Sequence, residues 1–153
     1  MMAFDRFTQA MDEWAAANPQ IPVEIQIGKG SYEPRHARWV RKLALPDYQA
    51  RVAACDLFVA HCGMGSIISA IEAGKPILML TRLERLGEHN TDHQVATAKY
   101  VGARPGLHVA ADADDLKVRA SALLADSGAA PAPIARFADA AFINRIRTFI
   151  EAP

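Results

Sequence analysis

The sequence predicts an α/β fold, a Rossmann-like parallel sheet flanked by helices, and three observations carry that prediction. Hydrophobic spacing alternates between a helical period and short runs of strand length. Glycines and prolines stand at the points where the period changes. The chain has 153 residues, 51% hydrophobic and 22% charged, the size and balance of one packed domain rather than of a disordered or coiled-coil chain. Strand, loop and helix recurring at this tempo imply parallel strands joined by crossover helices on both faces of a sheet.

Taken in order, Phe4, Phe7, Met11 and Trp14 recur at helical intervals, and Asn18-Pro19 ends that helix. Val23, Ile25 and Ile27 alternate with Glu24 and Gln26 as a half-exposed strand does. Gly28, Gly30, Ser31 and Pro34 make a loop, and the apolar run at 39–45 predicts a second strand. Pro46 and Asp47 suit the start of a helix with Tyr48, Val52 and Cys55 on its inner stripe. Residues 57–60 predict a buried strand, after which Gly63, Gly65 and Ser66 turn the chain into a helix that reaches Glu72 and stops at Gly74. Pro76 leads into a strand at 77–80, and 81–90 is a charged loop. Thr91 or Asp92 is expected to cap a helix running to Tyr100 and closed by Gly102. A short strand follows at 107–109, then a helix from Asp112 using Leu116, Ala120, Leu123 and Leu124. Pro131 and Pro133 break the chain before a last amphipathic helix carrying Ile134, Phe137, Ala141, Ile146, Phe149 and Ile150. The expectation is a single domain over 1–153, with a motif core at 56–101 and C-terminal helices at 112–150.

Composition excludes several functions. Seventeen Lys and Arg offset seventeen Asp and Glu, so the global field of a nucleic-acid binder is missing. No apolar stretch approaches the roughly 20 residues of a bilayer span, and 1–6 has no signal-peptide character, so a cytoplasmic location is expected. Cys55 and Cys62 make no disulfide framework and are read as small core residues. Between 29 and 42, Lys29, Arg35, Arg38, Arg41 and Lys42 face only Glu33; this suits an anionic lipid or partner surface, or simply a solvated basic edge. Asp112-x-Asp114 has the form of a metal-binding pair, yet acids at a helix start favour capping. His89 and His93 stand four apart, as helical zinc ligands can, but no third ligand accompanies them and no metal is expected.

Two segments carry chemistry. In D-L-F-V-A-H-C-G-M-G-S-I-I-S-A-I-E-A-G-K-P, residues 56–76, two glycines and a serine lie where a strand meets a helix. There, free backbone N–H groups and the positive helix end can converge on a phosphate; a tight turn with no ligand fits the same spacing. In G-E-H-N-T-D-H-Q, residues 87–94, a loop follows the next strand. Loops at the carboxyl ends of parallel strands line the ligand crevice, so His93 and Gln94 would face the same place as Gly65 and Ser66 and could bond sugar hydroxyls. The bland alternative has Asp92 as a cap and His89, His93 and Gln94 as solvated loop residues.

Together these segments resemble the C-terminal, nucleotide-sugar-binding domain of glycosyltransferase family 28, the C-terminal half of a GT-B fold. The resemblance covers roughly 4–102 and rests on H-C-G-M-G-S at 61–66, G-K-P at 74–76 and D-H-Q at 92–94. The short length, F-D-R at 4–6 and V-E-I-Q-I-G at 23–28 are similar to the small donor-binding subunit of two-subunit transferases. Such subunits serve dolichol-linked chitobiose and bacterial exopolysaccharide synthesis, with a membrane-associated partner supplying the acceptor half.

The resemblance implies an inverting, metal-independent transferase subunit that takes a UDP-sugar, needs no cofactor, binds no nucleic acid and sits in the cytoplasm, peripheral to the membrane through its partner. It implies that Gly63, Met64, Gly65 and Ser66 hold the diphosphate, that His93 and Gln94, with His89 nearby, contact the sugar, and that backbone near Leu45 meets the uracil. His61, beside the phosphate loop, is the one catalytic candidate in this chain, the general base being expected on the partner. Two departures stand out. Ser69 occupies the position where relatives carry a ribose-gripping glutamate, leaving Glu72, one turn on, as the substitute. Relatives also begin with a strand and a Gly-Thr loop, and here the first predicted element is a helix. That strand would lie between those at 23–27 and 57–60, whose edges must then pair directly, borrow a strand from another chain as in a homodimer, or stay unpaired. These departures support an alternative reading as a non-catalytic, degenerate nucleotide-binding or scaffold module. A dehydrogenase is disfavoured, because its fingerprint belongs to a first strand.

Overall fold

The structure, a computed structural model, describes residues 2–102, 104–126 and 140–151. Helix α1 (Asp5–Ala17) forms on the predicted apolar spacing and buries Ala10, Met11, Trp14 and Ala15, together with Thr8 and Asp12. Asn18 ends it, its side-chain amide donating to the Trp14 carbonyl at 2.8 Å. Strands β1 (Glu24–Gln26) and β2 (Arg38–Val40) pair in parallel with Ile25 opposite Trp39. The run at 39–45 is not one strand: β2 stops at Val40, and Leu45 opens helix α2 (Leu45–Ala54). Two local causes end the ladder. The Leu43 N–H is taken by the Gln26 side chain at 2.8 Å, and Pro46, lacking an N–H, suits the first helical turn. Of the predicted stripe on α2, Val52 is buried and Tyr48 and Cys55 are half-buried.

Strand β3 (Phe58–His61), helix α3 (Met64–Ala73) and strand β4 (Ile77–Leu80) follow. Gly74 closes α3 at φ +63°, a conformation glycine adopts without steric cost. After a single 3₁₀ turn at Glu84–Leu86 come helix α4 (His93–Val101), strand β5 (Leu107–Ala110) and helix α5 (Ala113–Ala125). Asp92 stands at the N-cap of α4 but makes no capping bond; its carboxylate accepts the Glu84 N–H at 2.9 Å and ties the preceding loop. Helix α6 (Ala140–Glu151) has no buried residue, so Ala141, Ile146, Phe149 and Ile150 are exposed. The predicted break at Pro131 and Pro133, with Ile134 and Phe137, lies outside the described residues.

The strands form two parallel sheets, β1-β2 and β3-β4-β5. β4 is central and all four of its residues are fully buried. β3, expected to be buried, is an edge strand in which only Ala60 is buried. Two cores cover the two faces. Phe4, Met11, Trp14, Ile25, Ile27, Leu78, Leu80, Leu116 and Ala120 join α1 and α5 to one face; Ala60, Cys62, Ile67, Ala70, Ile77, Met79 and Leu107 pack α3 against the other. Burial pushes the Cys62 thiol up to about 11, which suits an inert core residue. Between β1 and β3, which do not pair, runs a groove of about 1250 Å³.

Candidate functional site

Strands β3 and β4 run in parallel and release the chain side by side, at His61 and Leu80, so the start of α3 and the loop after β4 meet at one end of the sheet. Gly63 holds the N-cap position of α3 in an extended conformation, and its carbonyl accepts the N–H groups of Ser66 at 3.0 Å and Ile67 at 3.1 Å. Among the described residues, none engages the N–H groups of Met64 and Gly65, no side chain caps the helix and no acid lies in its first turn. The two glycines do different work. A Cβ on Gly63 would stand 2.5 Å from His61 Nε2, whereas one on Gly65 would meet nothing within 4 Å. Gly63 therefore makes room for the imidazole, and Gly65 leaves open space in front of free amides.

His61 Nδ1 lies 3.5 Å from the Ser66 hydroxyl. Burial, reinforced by the positive charge of Arg82 and by His89, pulls its pKa down to about 4, so the ring is neutral at neutral pH. Behind it, Arg82 is only 7% exposed. Its Nη1 donates to the carbonyls of Met2 at 2.9 Å, Ala3 at 3.0 Å and Glu88 at 3.0 Å, and its guanidinium lies 4.5 Å from the Phe4 ring centre. Glu88 accepts from Arg6 through Nε at 3.0 Å and Nη2 at 2.9 Å, and from the Leu83 N–H at 3.0 Å. These contacts fix the loop after β4 around a 300 Å³ cavity lined by His61, Arg82, His89, Asn90 and Gln94, among others. His61 and Arg82 also line the larger groove, along with Gly65, Ser66 and Ser69 of α3 and Leu45 and Tyr48 of α2. Free amides at a helix start, a guanidinium and an uncharged imidazole make a place suited to an anion.

A family model described as the glycosyltransferase family 28 C-terminal domain matches residues 3–131. The chain belongs to that family. No curated protein matches the sequence. Among solved structures, the crystal structure of the glycotransferase of kitacinnamycin is similar at 22% identity and a TM-score of 0.59, a likeness of fold. The match covers 76% of this chain and 30% of that one, so the family 28 domain described here spans less than a third of that protein's length.

Within this family 28 domain, Gly63, Met64, Gly65 and Ser66 gather at the start of α3. Ser69 lines the larger groove one turn on, its hydroxyl donating to the Gly65 carbonyl at 2.8 Å. Glu72 is exposed and lines neither cavity. Leu45, 67% exposed, stands at the groove wall. His89 and Gln94 line the smaller cavity; Gln94 is 2% exposed, and its Oε1 accepts the Arg82 N–H at 3.1 Å, while its Nε2 meets no acceptor among the described residues. His93 is exposed, edge-on to the His89 ring at 4.4 Å and paired with the Thr91 hydroxyl, and lines neither cavity. Asp112 accepts the N–H groups of Asp114 at 3.0 Å and Asp115 at 2.9 Å, so it is a cap. Sequence spacing missed Arg6, Arg82 and Glu88. The one signal available was a basic residue two places after a fully apolar strand; Arg6 and Glu88, 82 positions apart, share no local pattern.

Proposed function

We propose that this domain binds a UDP-sugar and serves as the donor half of an inverting, metal-independent glycosyltransferase. A separate, membrane-associated subunit would supply the acceptor, a polysaccharide or lipid-linked glycan. The observation that carries the reading is the uncapped start of α3, with the Met64 and Gly65 amides free and open space at Gly65. In the proposed reaction an acceptor hydroxyl attacks the anomeric carbon, the bond from that carbon to the diphosphate breaks, and UDP departs with the electron pair. The partner's base takes the hydroxyl proton. Negative charge growing on the diphosphate is stabilised by the α3 amides, the helix end being equivalent to roughly half a positive charge, with Arg82 behind them. Neutral His61 contributes a hydrogen bond and not a charge. Gln94 Nε2 reaches the sugar hydroxyls, and backbone near Leu45 meets the uracil. The domain works in the cytoplasm, held at the inner membrane face by its partner, and is inactive alone.

Calorimetry with EDTA present tests this reading: UDP should bind more tightly than ADP or NAD. An absolute requirement for magnesium or manganese would sink the helix-end mechanism. One observation favours a second reading, a scaffold without turnover: the Ser69 hydroxyl is engaged by its own helix and Glu72 lies outside the groove, so neither position presents a carboxylate to the groove. Partner binding without nucleotide affinity would decide for the scaffold.

A further inference from the structure

Among the described α-helices, α6 alone has no buried residue. Its sequence is A-A-F-I-N-R-I-R-T-F-I-E, and at about 3.6 residues per turn Phe142, Ile143, Ile146, Phe149 and Ile150 fall on one stripe. A stripe of that kind normally packs on a core, yet here every member is exposed, Phe149 to 84% and Ile150 to 73%. Charge is arranged around it. Arg145 and Arg147 stand about 100° to either side of the stripe's centre, and the Arg145 guanidinium lies 5.7 Å from the Phe142 ring centre, at the border of the apolar face. Among the described residues neither arginine has an ion-pair partner, and the helix's one acid, Glu151, is its last residue, on the polar side with Asn144 and Thr148. The helix has 12 residues. At about 18 Å it falls well short of the ~30 Å hydrocarbon core of a bilayer, and no described helix is long and apolar enough to cross a membrane.

We propose that α6 is an interfacial helix that seats this domain on an anionic lipid surface. It lies in the plane of the surface, with the Phe and Ile stripe entered into the acyl boundary and Arg145 and Arg147 reaching headgroup phosphates on either side. The two cationic borders select this occupant. A second copy of α6 laid face to face, in either direction, would set arginine borders against arginine borders, a like-charge arrangement with no acid on the border to relieve it. An anionic bilayer meets both needs of the helix: it accepts bulky apolar side chains without matching pockets, and its negative surface potential attracts the flanking arginines. The family 28 match ends at residue 131, so α6 lies beyond the matched segment, and the inference does not rest on the donor reading. Lipid contact by α6 acts in addition to any hold by a partner subunit.

The test is flotation of the 153-residue chain, without nucleotide or partner, with vesicles of phosphatidylcholine alone or mixed with phosphatidylglycerol. Amide hydrogen exchange is read along α6, and mass is measured in solution without lipid. The chain should float with the anionic vesicles in preference to the neutral ones, less so as salt rises, and the amides of 142–150 should exchange more slowly on the vesicles. Phe149→Ser with Ile150→Ser should leave thermal unfolding without lipid nearly unchanged, since neither residue is buried, and should weaken vesicle binding about tenfold or more. Arg145→Gln with Arg147→Gln should cut the preference for anionic over neutral vesicles about fivefold per arginine. Equal binding by the wild-type chain and the serine variant would overturn the proposal and assign the binding to another surface, such as the basic segment at 29–42. Absence of binding by the folded chain would also overturn it, leaving a protein partner as the cover of the stripe. So would protection of α6 that rises with protein concentration in the absence of lipid, since a second copy would then be the occupant.

Discussion

Asp12 is fully buried yet charged. Burial opposes its ionisation, but the N–H groups of Arg35 at 2.9 Å, Ala37 at 2.9 Å and His36 at 2.8 Å, with the Tyr32 hydroxyl at 2.8 Å, outweigh that cost and bring its pKa down to about 2. Asp12→Ala strands three backbone donors and should cost about 3 kcal/mol or more in urea unfolding at pH 7. Because the folded pKa is depressed, this stabilisation is present above the ordinary value of 3.8 and is lost as pH falls towards 2. His61 has the same direction of shift and the same pH dependence, in a higher window. Below its ordinary 6.5 the unfolded chain takes a proton that the folded chain refuses until about 4, so stability falls across that window. A His61→Phe variant that still lost stability equally between pH 7 and 5 would show that this ring is not the group responsible. The loop glycines separate cleanly. Gly65→Ala should keep or raise stability, since alanine favours a helix by up to about 1 kcal/mol and meets nothing there. Gly65→Asp should abolish UDP binding in a folded protein, and Gly63→Ala should disturb His61. Gln94→Ala should weaken UDP-sugar binding a few-fold to about tenfold, more than His93→Ala, with UDP itself little changed; equal losses for both ligands would remove Gln94 from the sugar site.

Two helices start differently. α5 satisfies its first amides through Asp112 and carries Asp114 and Asp115 in its first turn, and Asp112→Ala should cost about 1 kcal/mol by chemical denaturation. α3 offers no cap and no acid. The strand–Gly-x-Gly–helix pattern made that turn readable in the sequence. Elements were legible where period and punctuation agreed, as at α1, α3 and β4. At 39–45 they disagreed: an apolar run reads as strand by composition, but Pro46 and the Gln26 side chain give the backbone other bonds. α6 shows the limit of periodicity, because an amphipathic pattern states that a face exists and not what covers it. Its Phe149 and Ile150 are 84% and 73% exposed, so Phe149→Ser with Ile150→Ser should shift unfolding by no more than about 0.5 kcal/mol per site.

Across the whole molecule, contacts distant in sequence hold the site. Arg6 on α1 reaches Glu88 and the Thr81 carbonyl, and Glu88 in turn holds the Leu83 N–H and accepts Arg82 at its carbonyl. Glu88→Gln should cost about 2 kcal/mol, since it leaves a half-buried guanidinium without its counter-charge, and should weaken UDP binding by loosening the loop. An unchanged affinity would detach this network from the site. By itself the sequence determined the α/β class, the order of nearly every element, the family and the glycine turn that opens α3, because all of these depend on spacing within about 20 residues and on backbone rules that act locally. Only the tertiary structure decided that Arg82 stands behind His61, that Gln94 faces inward while His93 and Glu72 do not, and that β1 and β3 leave a groove between them. Those outcomes depend on which surfaces meet when the helices pack on two separate sheets, and no local period encodes such a meeting.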